Sequence, residues 1–322
     1  MEKKNDNPIV SVICLAYNHE KYIRQALDSI LSQITSYKYE IIIHDDKSTD
    51  NTRKIIEEYE KNFPNIIVPV FETENQYSKG NDVIDISLKH CKGKYIAFCE
   101  CDDYWNDNNK IQTQVDFMEN NKDYSACSSS SIVLDDRTGR ESVLFPVEED
   151  IDLTVDDIIL WDDRHFQTAS LLFRTEYKDM PTEYYIRGIS DYPRAVYLCS
   201  KGKIRYFHNT MSVYRSYVGG SWTDRFRNNI TMQKELLINT KSMLLNISRN
   251  SPKEFEHPIN QKLQDLEFQL CLIDSNYLEL KKRYREQYSK LKIIARFKII
   301  TKYYFPNIYS YLKSRYIKRI KK

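Results

Sequence analysis

No run of about eighteen apolar residues occurs anywhere in the 322 residues of this chain, so no segment reads as a membrane-spanning helix. The first apolar stretch, Ile9 to Ala16, follows a polar start and is too short for the layout of a signal peptide. None of the seven cysteines belongs to a CxxC pair, their number is odd, and several lie inside apolar runs. That pattern excludes a disulfide framework and reads as reduced thiols in a cytosolic protein; the lone CxC of Cys99 and Cys101 is too little for a zinc site. Glycine is scarce as well, seven residues against twenty-five tyrosines. Two readings of the tyrosine excess stand: sugar-contacting or interfacial surface, and a coding bias that raises Lys, Ile, Asn and Tyr together.

Acid is nearly missing from one end. Residues 281–322 hold fifteen Lys and Arg and a single acid, Glu286, although the whole chain carries only +2. The body is therefore mildly acidic and shows no basic face, while the tail seeks a polyanion, either an anionic membrane or nucleic acid. With 41% apolar residues the chain can bury the core of one large or two smaller domains.

Residues 9–16 (IVSVICLA) read as a buried strand, and the following Tyr22, Ile23, Ala26, Leu27, Ile30 and Leu31 recur at helical spacing over roughly four turns. EIIIHDD is a second strand, KSTDNTRKIIEEYEKN a capped helix, and IIVPVF a third strand that Pro69 assigns to an edge. A short helix over Val83–His90 leads to the strand KYIAFCECDD, followed by the helix KIQTQVDFMEN and the strand ACSSSSIVL. Residues 135–165 look irregular and polar, with an apolar patch at Ile158–Trp161. QTASLLFR and KIRYFHN are further strands around a helix at Asp191–Ser200, and long helices are expected over 225–248 and 259–290. The alternation of strand and helix predicts an α/β domain, a mostly parallel sheet with helices on both faces, followed by a helical C-terminal region. The expected division is 1–224 for the α/β domain and 225–322 for the helical region with its basic amphipathic tail.

Two acidic pairs, Asp45–Asp46 and Asp102–Asp103, each fall at the carboxyl end of a predicted strand. In open parallel sheets ligands bind beyond those ends, so the two pairs can converge on one crevice. Glu100, Asp102 and Asp103 put three carboxylates within four residues, a cluster that calls for a cation or for free solvent. Hard oxygen donors suit Mg²⁺ or Mn²⁺ held by one or two carboxylates and a substrate's phosphates.

VSVICLAYNHEKYIRQALDSILSQ, EIIIHDDKSTDNT and GKYIAFCECDDYW, in this order, resemble inverting glycosyltransferase family 2, whose fold is GT-A; the resemblance covers about residues 8–222. QTASLLFR, SDYPRAVYLCSKGKIRYFHNTMSVYR and GGSW resemble the acceptor-side half of the same family. The resemblance implies a nucleotide pocket lined by Ala16, Tyr17 and Asn18, with Asp46 bonded to the base and Asp45 beside it. CECDD corresponds to the DxD-type signature, with Asp102 and Asp103 facing the ribose, the metal and the diphosphate. Glu100 stands where Asp is common, and Cys101 where a small residue is usual. Asp191 of SDYP resembles the family's base, which takes the proton of the acceptor hydroxyl; an N-cap on its own helix fits the same residue. Arg215 matches a basic position near the diphosphate, and Tyr217 replaces a His found there in many relatives. His44 and His208 read as structural.

The expected activity is metal-assisted transfer of a sugar with inversion, from a nucleotide-sugar donor (a UDP-sugar above all) to a glycan or lipid-linked acceptor in cell-surface polysaccharide biosynthesis. The alternatives are a non-catalytic nucleotide- or carbohydrate-binding module and a membrane-bound scaffold. Ile, Phe, Tyr and Leu interleaved with Lys and Arg in the tail fit an interfacial helix on anionic lipid. That places the protein in the cytoplasm, peripheral on the inner face of the cell membrane, with no nucleic-acid partner. A solvated helix with one packed face is the competing reading of the tail.

Overall fold

The computed structural model describes residues 7–160, 167–186, 191–219, 221–227 and 229–305. Trp161, Ser190, Gly220 and the tail from 306 lie outside the described residues.

The strand β1 (Val10–Ala16) is buried on both sides, and its alternation divides the core. Val10, Val12 and Cys14 enter one apolar layer with Ile23, Leu27 and Ile30 of α1 (Ile23–Leu31), while Ile13 enters the opposite layer with Ile84 and Leu88. β1 pairs in parallel with β2 (Tyr39–Asp45) and with β4 (Tyr95–Phe98), and β2 pairs in parallel with β3 (Ile67–Phe71), which ends the sheet on that side as Pro69 requires. The crossovers are α1, α2 (Thr52–Asn62), and the short α3 (Gln76–Lys79) and α4 (Val83–Leu88). α1 begins later than its apolar periodicity suggests, because Asn18 is left-handed at φ 59° and the N–H groups of Asn18 and His19 are bonded to Ser48 and Thr52 side chains instead.

The second half makes the sheet mixed. After β5 (Tyr104–Trp105) and α5 (Lys110–Asn120) come β6 (Tyr124–Asp135), β7 (Glu141–Leu144), β8 (Ile151–Leu153), α6 (Val155–Leu160) and β9 (Leu172–Arg174). Then α7 (Asp191–Cys199) leads into β10 (Lys203–Ser216). β9 inserts antiparallel between β4 and β6, and β10 runs parallel to β6 and antiparallel to β5, giving the order β3-β2-β1-β4-β9-β6-β10-β5. The segment expected to be irregular thus contains β7, β8 and α6. β7 is a polar flap on the exposed end of β6, with no apolar alternation to announce it.

Beyond β10 lie α8 (Trp222–Arg227), α9 (Ile230–Ile247), α10 (Glu256–Asp274), α11 (Tyr277–Arg283), α12 (Arg285–Lys290) and α13 (Ile293–Tyr304). The single helix expected over 259–290 is broken because Ser275 adopts a left-handed conformation (φ 53°) and the Asn276 side chain caps a new helix at Glu279 N. α9 and α10 add Met243, Leu244, Ile247, Ile259 and Leu266 to the layer on the Ile13 side. α11 to α13 close on a small core of Leu280, Tyr284 and Ile299.

A buried polar stitch sets the three parallel strands in register. Ser11 Oγ donates to Glu40 Oε1 (2.6 Å), while the N–H of Lys92 donates to Glu40 (2.8 Å) and that of Gly93 to Ser11 Oγ (2.8 Å). A Cβ on Gly93 would lie 2.5 Å from Ser11 N and 2.7 Å from Val10 C, against backbone that cannot yield. Gly93→Ala is expected to lower unfolding free energy by about 2 kcal/mol or more, within the range for overpacking, as urea denaturation will measure.

Candidate active site

Parallel pairing brings the ends of β1, β2 and β4 to one rim. Ala16 is in register with Asp45; the N–H of Asp46 donates to Ala16 O (3.0 Å) and that of Cys101 to Leu15 O (3.0 Å). Ala16, Asp45, Asp46 and the Glu100–Asp103 turn, far apart in sequence, therefore meet. The loop after β1 is drawn to the loop after β2, since Asn18 Oδ1 accepts from Thr49 N (2.7 Å). This arrangement leaves Tyr17 47% exposed at the rim.

The four acidic positions do different work. Asp45 is fully buried, and one of its oxygens caps Ser48 N (3.2 Å). Asp46 accepts from the backbone N–H of Gln76 (2.6 Å) and Tyr77 (3.1 Å), fastening the loop after β3 against the end of β2. Asp103 is buried, one oxygen accepting from Arg215 N (2.8 Å) and the other from Gln167 Nε2 (2.9 Å). Asp102 keeps 16% of its side chain exposed, with His19 Nε2 at 4.0 Å. Of the pair 102–103, only Asp102 keeps its side chain partly open to solvent.

Arg215 holds this turn in place. Its Nη1 donates to Asp102 O (2.6 Å), its Nη2 to Gln25 Oε1, and its guanidinium lies between the rings of Tyr22 (5.2 Å) and Tyr104 (4.7 Å). The sequence pointed to Arg215 as a diphosphate contact; in this arrangement its hydrogen bonds go to the polypeptide.

Asp191 begins α7 and accepts from Thr168 Oγ1 (2.7 Å). Thr168 starts a single 3₁₀ turn, Thr168–Ser170, directly after Gln167, so one short element serves both Asp103 and Asp191. The carboxylates are close enough to feel one another. Burial raises the Glu100 carboxyl well above its usual range, and Asp102, Asp103 and Asp191 add to the rise. Burial and Asp102 likewise push Asp103 up, against the pull of its Arg215 and Gln167 donors. Burial lowers His19, but Cys101, Asp102 and Asp103 outweigh it and leave the imidazole raised. The Cys101 thiol comes down to about 7 through the neighbouring Cys14 thiol and His19, despite burial.

This crowd of carboxyl groups, whose charged forms burial disfavours at Glu100 and Asp103, fits a hard divalent cation that would restore ionisation. Among the described residues no group of three or more His, Cys, Asp and Glu ligands is assembled, so any ion would draw most of its oxygens from a ligand such as a diphosphate. His44 is buried 3.4 Å from Glu72, and His208 pairs with Asp150 (2.7 Å) at the far end of the sheet. His19, Gln25, Gln167 and Thr168 were not singled out from sequence. Their signal was positional: all lie inside motif segments, but none carries a charge pair or spacing that marks it.

Asp103→Asn forces an amide N–H₂ against either Arg215 N–H or Gln167 Nε2. Gln167 cannot flip to relieve this without losing its bond from Ala169 N (2.9 Å). Even with the repulsion from Asp102 relieved, stability should fall by about 1 kcal/mol or more. Asp102→Asn should stay within about 0.5 kcal/mol of the parent in the same denaturation experiment.

Residues 11–180 match the family described as Glycosyl transferase family 2. An uncharacterized protein of Mycobacterium bovis is 33% identical over 225 residues, 67% of this chain and 62% of that protein, so the chain spans less than two thirds of that relative's length. An Escherichia coli UDP-Glc:alpha-D-GlcNAc-diphosphoundecaprenol beta-1,3-glucosyltransferase is 39% identical over 128 residues, 39% of this chain and 48% of that one. The mannosyltransferase PcManGT from Pyrobaculum calidifontis, solved with GDP-Man and Mn²⁺, superposes with a TM-score of 0.56 at 17% identity, covering 98% of this chain and 88% of that one. That similarity is one of fold, GT-A.

Proposed function

The chain belongs to glycosyl transferase family 2, and from that premise we propose that it transfers a sugar, with inversion, from a nucleotide-sugar donor to an acceptor hydroxyl. One observation carries the proposal: the ends of β1, β2 and β4 meet at a rim where Asp102 faces the crevice and Asp191 lies near enough to raise Glu100. Ala16, Tyr17 and Asn18 line the nucleotide pocket. Asp45 and Asp46 shape its base end, Asp46 through the Gln76–Tyr77 backbone that it holds. A UDP-sugar is the proposed donor, in line with the name of the E. coli relative.

Asp102 would hold Mn²⁺ or Mg²⁺ together with the donor's phosphates, with Asp103 fixing the turn behind it; when bound, the ion supplies positive charge to the departing nucleoside diphosphate. Asp191 takes the proton from the acceptor hydroxyl as that oxygen attacks the anomeric carbon. Its place at the start of α7 favours the ionised form a base needs, and the Thr168 hydroxyl orients it. Arg215 keeps the Asp102 backbone in place.

We take residues 1–224 as the transferase domain and 225–322 as a helical region that brings it to its acceptor, a glycan or lipid-linked sugar in cell-surface polysaccharide assembly. No helix among the described residues is long and apolar enough to cross a membrane. α13 instead exposes Ile293, Ile294 and Phe297 (77%, 70% and 67%) with Lys292, Arg296 and Lys298 beside them, the makeup of a helix lying on anionic lipid.

Three experiments test these readings. Nucleoside diphosphate binding, followed by calorimetry with and without Mn²⁺, should lose its metal-dependent part in Asp102→Asn. Asp191→Asn should keep donor affinity while turnover drops by roughly 10²–10⁴, the range for a positioned base; transfer at the parent rate would remove Asp191 from the reaction. For the tail, Ile293→Ser/Ile294→Ser/Phe297→Ser should sharply reduce co-sedimentation with phosphatidylserine vesicles. Binding of the parent protein should weaken as salt rises, since each basic residue near the surface contributes about 1 kcal/mol. Parent protein that ignores such vesicles at low salt would end the membrane assignment.

A further inference from the structure

Just past β10 the chain turns at Tyr217, a non-glycine residue held left-handed at φ 66°. Two guanidinium carbons lie close to the centre of its ring, Arg137 at 3.3 Å and Arg227 at 4.1 Å. Two such groups so near one centroid would collide on a single face, so they occupy opposite faces. Arg137 comes from the β6–β7 turn, and Arg227 is the last residue of α8. A ring thus fixes two like charges that would otherwise repel one another apart. Stacking engages only the flat faces of the guanidiniums and leaves their N–H edges to donate in the plane, where Arg137 spends Nε and Nη2 on Asp135.

The pair stands at the rim of the crevice. Asp136, next to Arg137, accepts from the Tyr22 hydroxyl (2.8 Å), and the Tyr22 ring supports Arg215. α8 is tied to β10 by Tyr214 Oη donating to Thr223 Oγ1 (2.8 Å). Burial holds the Tyr214 hydroxyl up at about 12, with Asp103 and Glu100 adding to the rise and Arg227 opposing it, so carboxylates and guanidinium lie near the same hydroxyl. Two residues before Arg227 in the same last turn of α8, Arg225 lies over the ring of Tyr77 (5.7 Å), whose N–H is held by Asp46. The last turn of α8 therefore touches both the loop that Asp46 holds and the ring of Tyr217.

Charge explains what the pair is for. The crevice turns the carboxyl groups of Asp102 and Asp191 rather than a cation toward an anion, and Arg215 is committed to Asp102 O and Gln25. Arg137 is paired with Asp135 (3.1 Å), whereas exposed Arg227 has no carboxylate partner among the described residues. We propose that Arg137 and Arg227, positioned by the Tyr217 ring, form the anion-binding end of the donor crevice and take the terminal phosphate of a nucleoside diphosphate. Arg227 makes the stronger contact, because its charge is not shared. The proposal rests on the donor-site reading and adds residues from outside its motifs.

The test compares nucleoside diphosphates with monophosphates. UDP, GDP, CDP and dTDP are titrated into the full chain by calorimetry with Mn²⁺, and the diphosphate that binds is compared with its monophosphate. Arg227→Ala should weaken the diphosphate about tenfold or more, as loss of a charge-assisted contact does, and change the monophosphate by less than about threefold. Arg137→Ala should act in the same direction with smaller size. Tyr217→Phe keeps the ring and should keep the affinity, whereas Tyr217→Ala should reproduce the Arg227→Ala selectivity. If Tyr217→Ala fails to fold, Arg227→Lys, which keeps charge but loses the stacked fork, should fall between parent and Arg227→Ala. Diphosphate binding unchanged in Arg227→Ala, or an equal loss for both nucleotides, would overturn the clamp while leaving the donor site intact. Parent protein that binds none of the four diphosphates would overturn the donor reading and the clamp with it.

Discussion

The candidate site depends on one buried carboxylate. Asp103 accepts from the backbone of Arg215 and from the side chain of Gln167, joining three stretches of chain that are remote in sequence. Its neighbour Asp102 faces the crevice because Asp103 is fastened behind it, and Arg215 then secures the turn again through Asp102 O. The same contact sets the 3₁₀ turn that begins with Thr168, and so the orientation of Asp191. A carboxylate buried this deeply is tolerated only because both oxygens are met by donors.

Around that point the protein gathers carboxyl groups. Burial disfavours ionisation of Glu100 and Asp103, and the neighbouring Asp102 adds to the rise at both. The parallel strands give this arrangement its rigidity: β1 pairs with β2 and β4, and the Ser11–Glu40–Gly93 stitch holds their opposite ends in register. Such a site is prepared for a ligand that brings both positive and negative charge, the metal and diphosphate of the proposed donor complex.

Much of this was legible in the sequence, and the reasons are local. The continuous apolar run of β1, the edge proline Pro69 and the acidic strand ends at Asp46 and Asp102 each carry a signature within a few residues. The division of labour between Asp102 and Asp103 was not legible, because it is decided by Gln167 and Arg215, whose approach depends on β5 pairing with β10. Arg215 was found as a motif residue, but its bond to Gln25 links residues 190 positions apart, beyond any reading of spacing. The polar strand β7 escaped for another reason: it covers the exposed end of β6 and needs no apolar alternation. The break at Ser275–Asn276 lay inside what reads as one helical period, although Asn276 is the kind of residue that caps a new helix.

The position of β10 in the sheet has a consequence for the order of folding. β1, β2 and β3 can pair early, since Val10 and Tyr39 are 29 residues apart and Ile41 and Ile67 are 26, and β4 joins β1 once Tyr95 has been made. The carboxylate of Asp103 gains its two donors only after Gln167 and then Arg215 have been synthesised, 64 and 112 residues later. Closing contacts over such separations is slow, because chain entropy is lost before the bonds return it. The nascent chain therefore passes through a stage in which the first strands are formed and the acidic turn is still open. At that stage Asp103 lacks its second donor and the Asp102 carbonyl its guanidinium, and both arrive together when β10 docks.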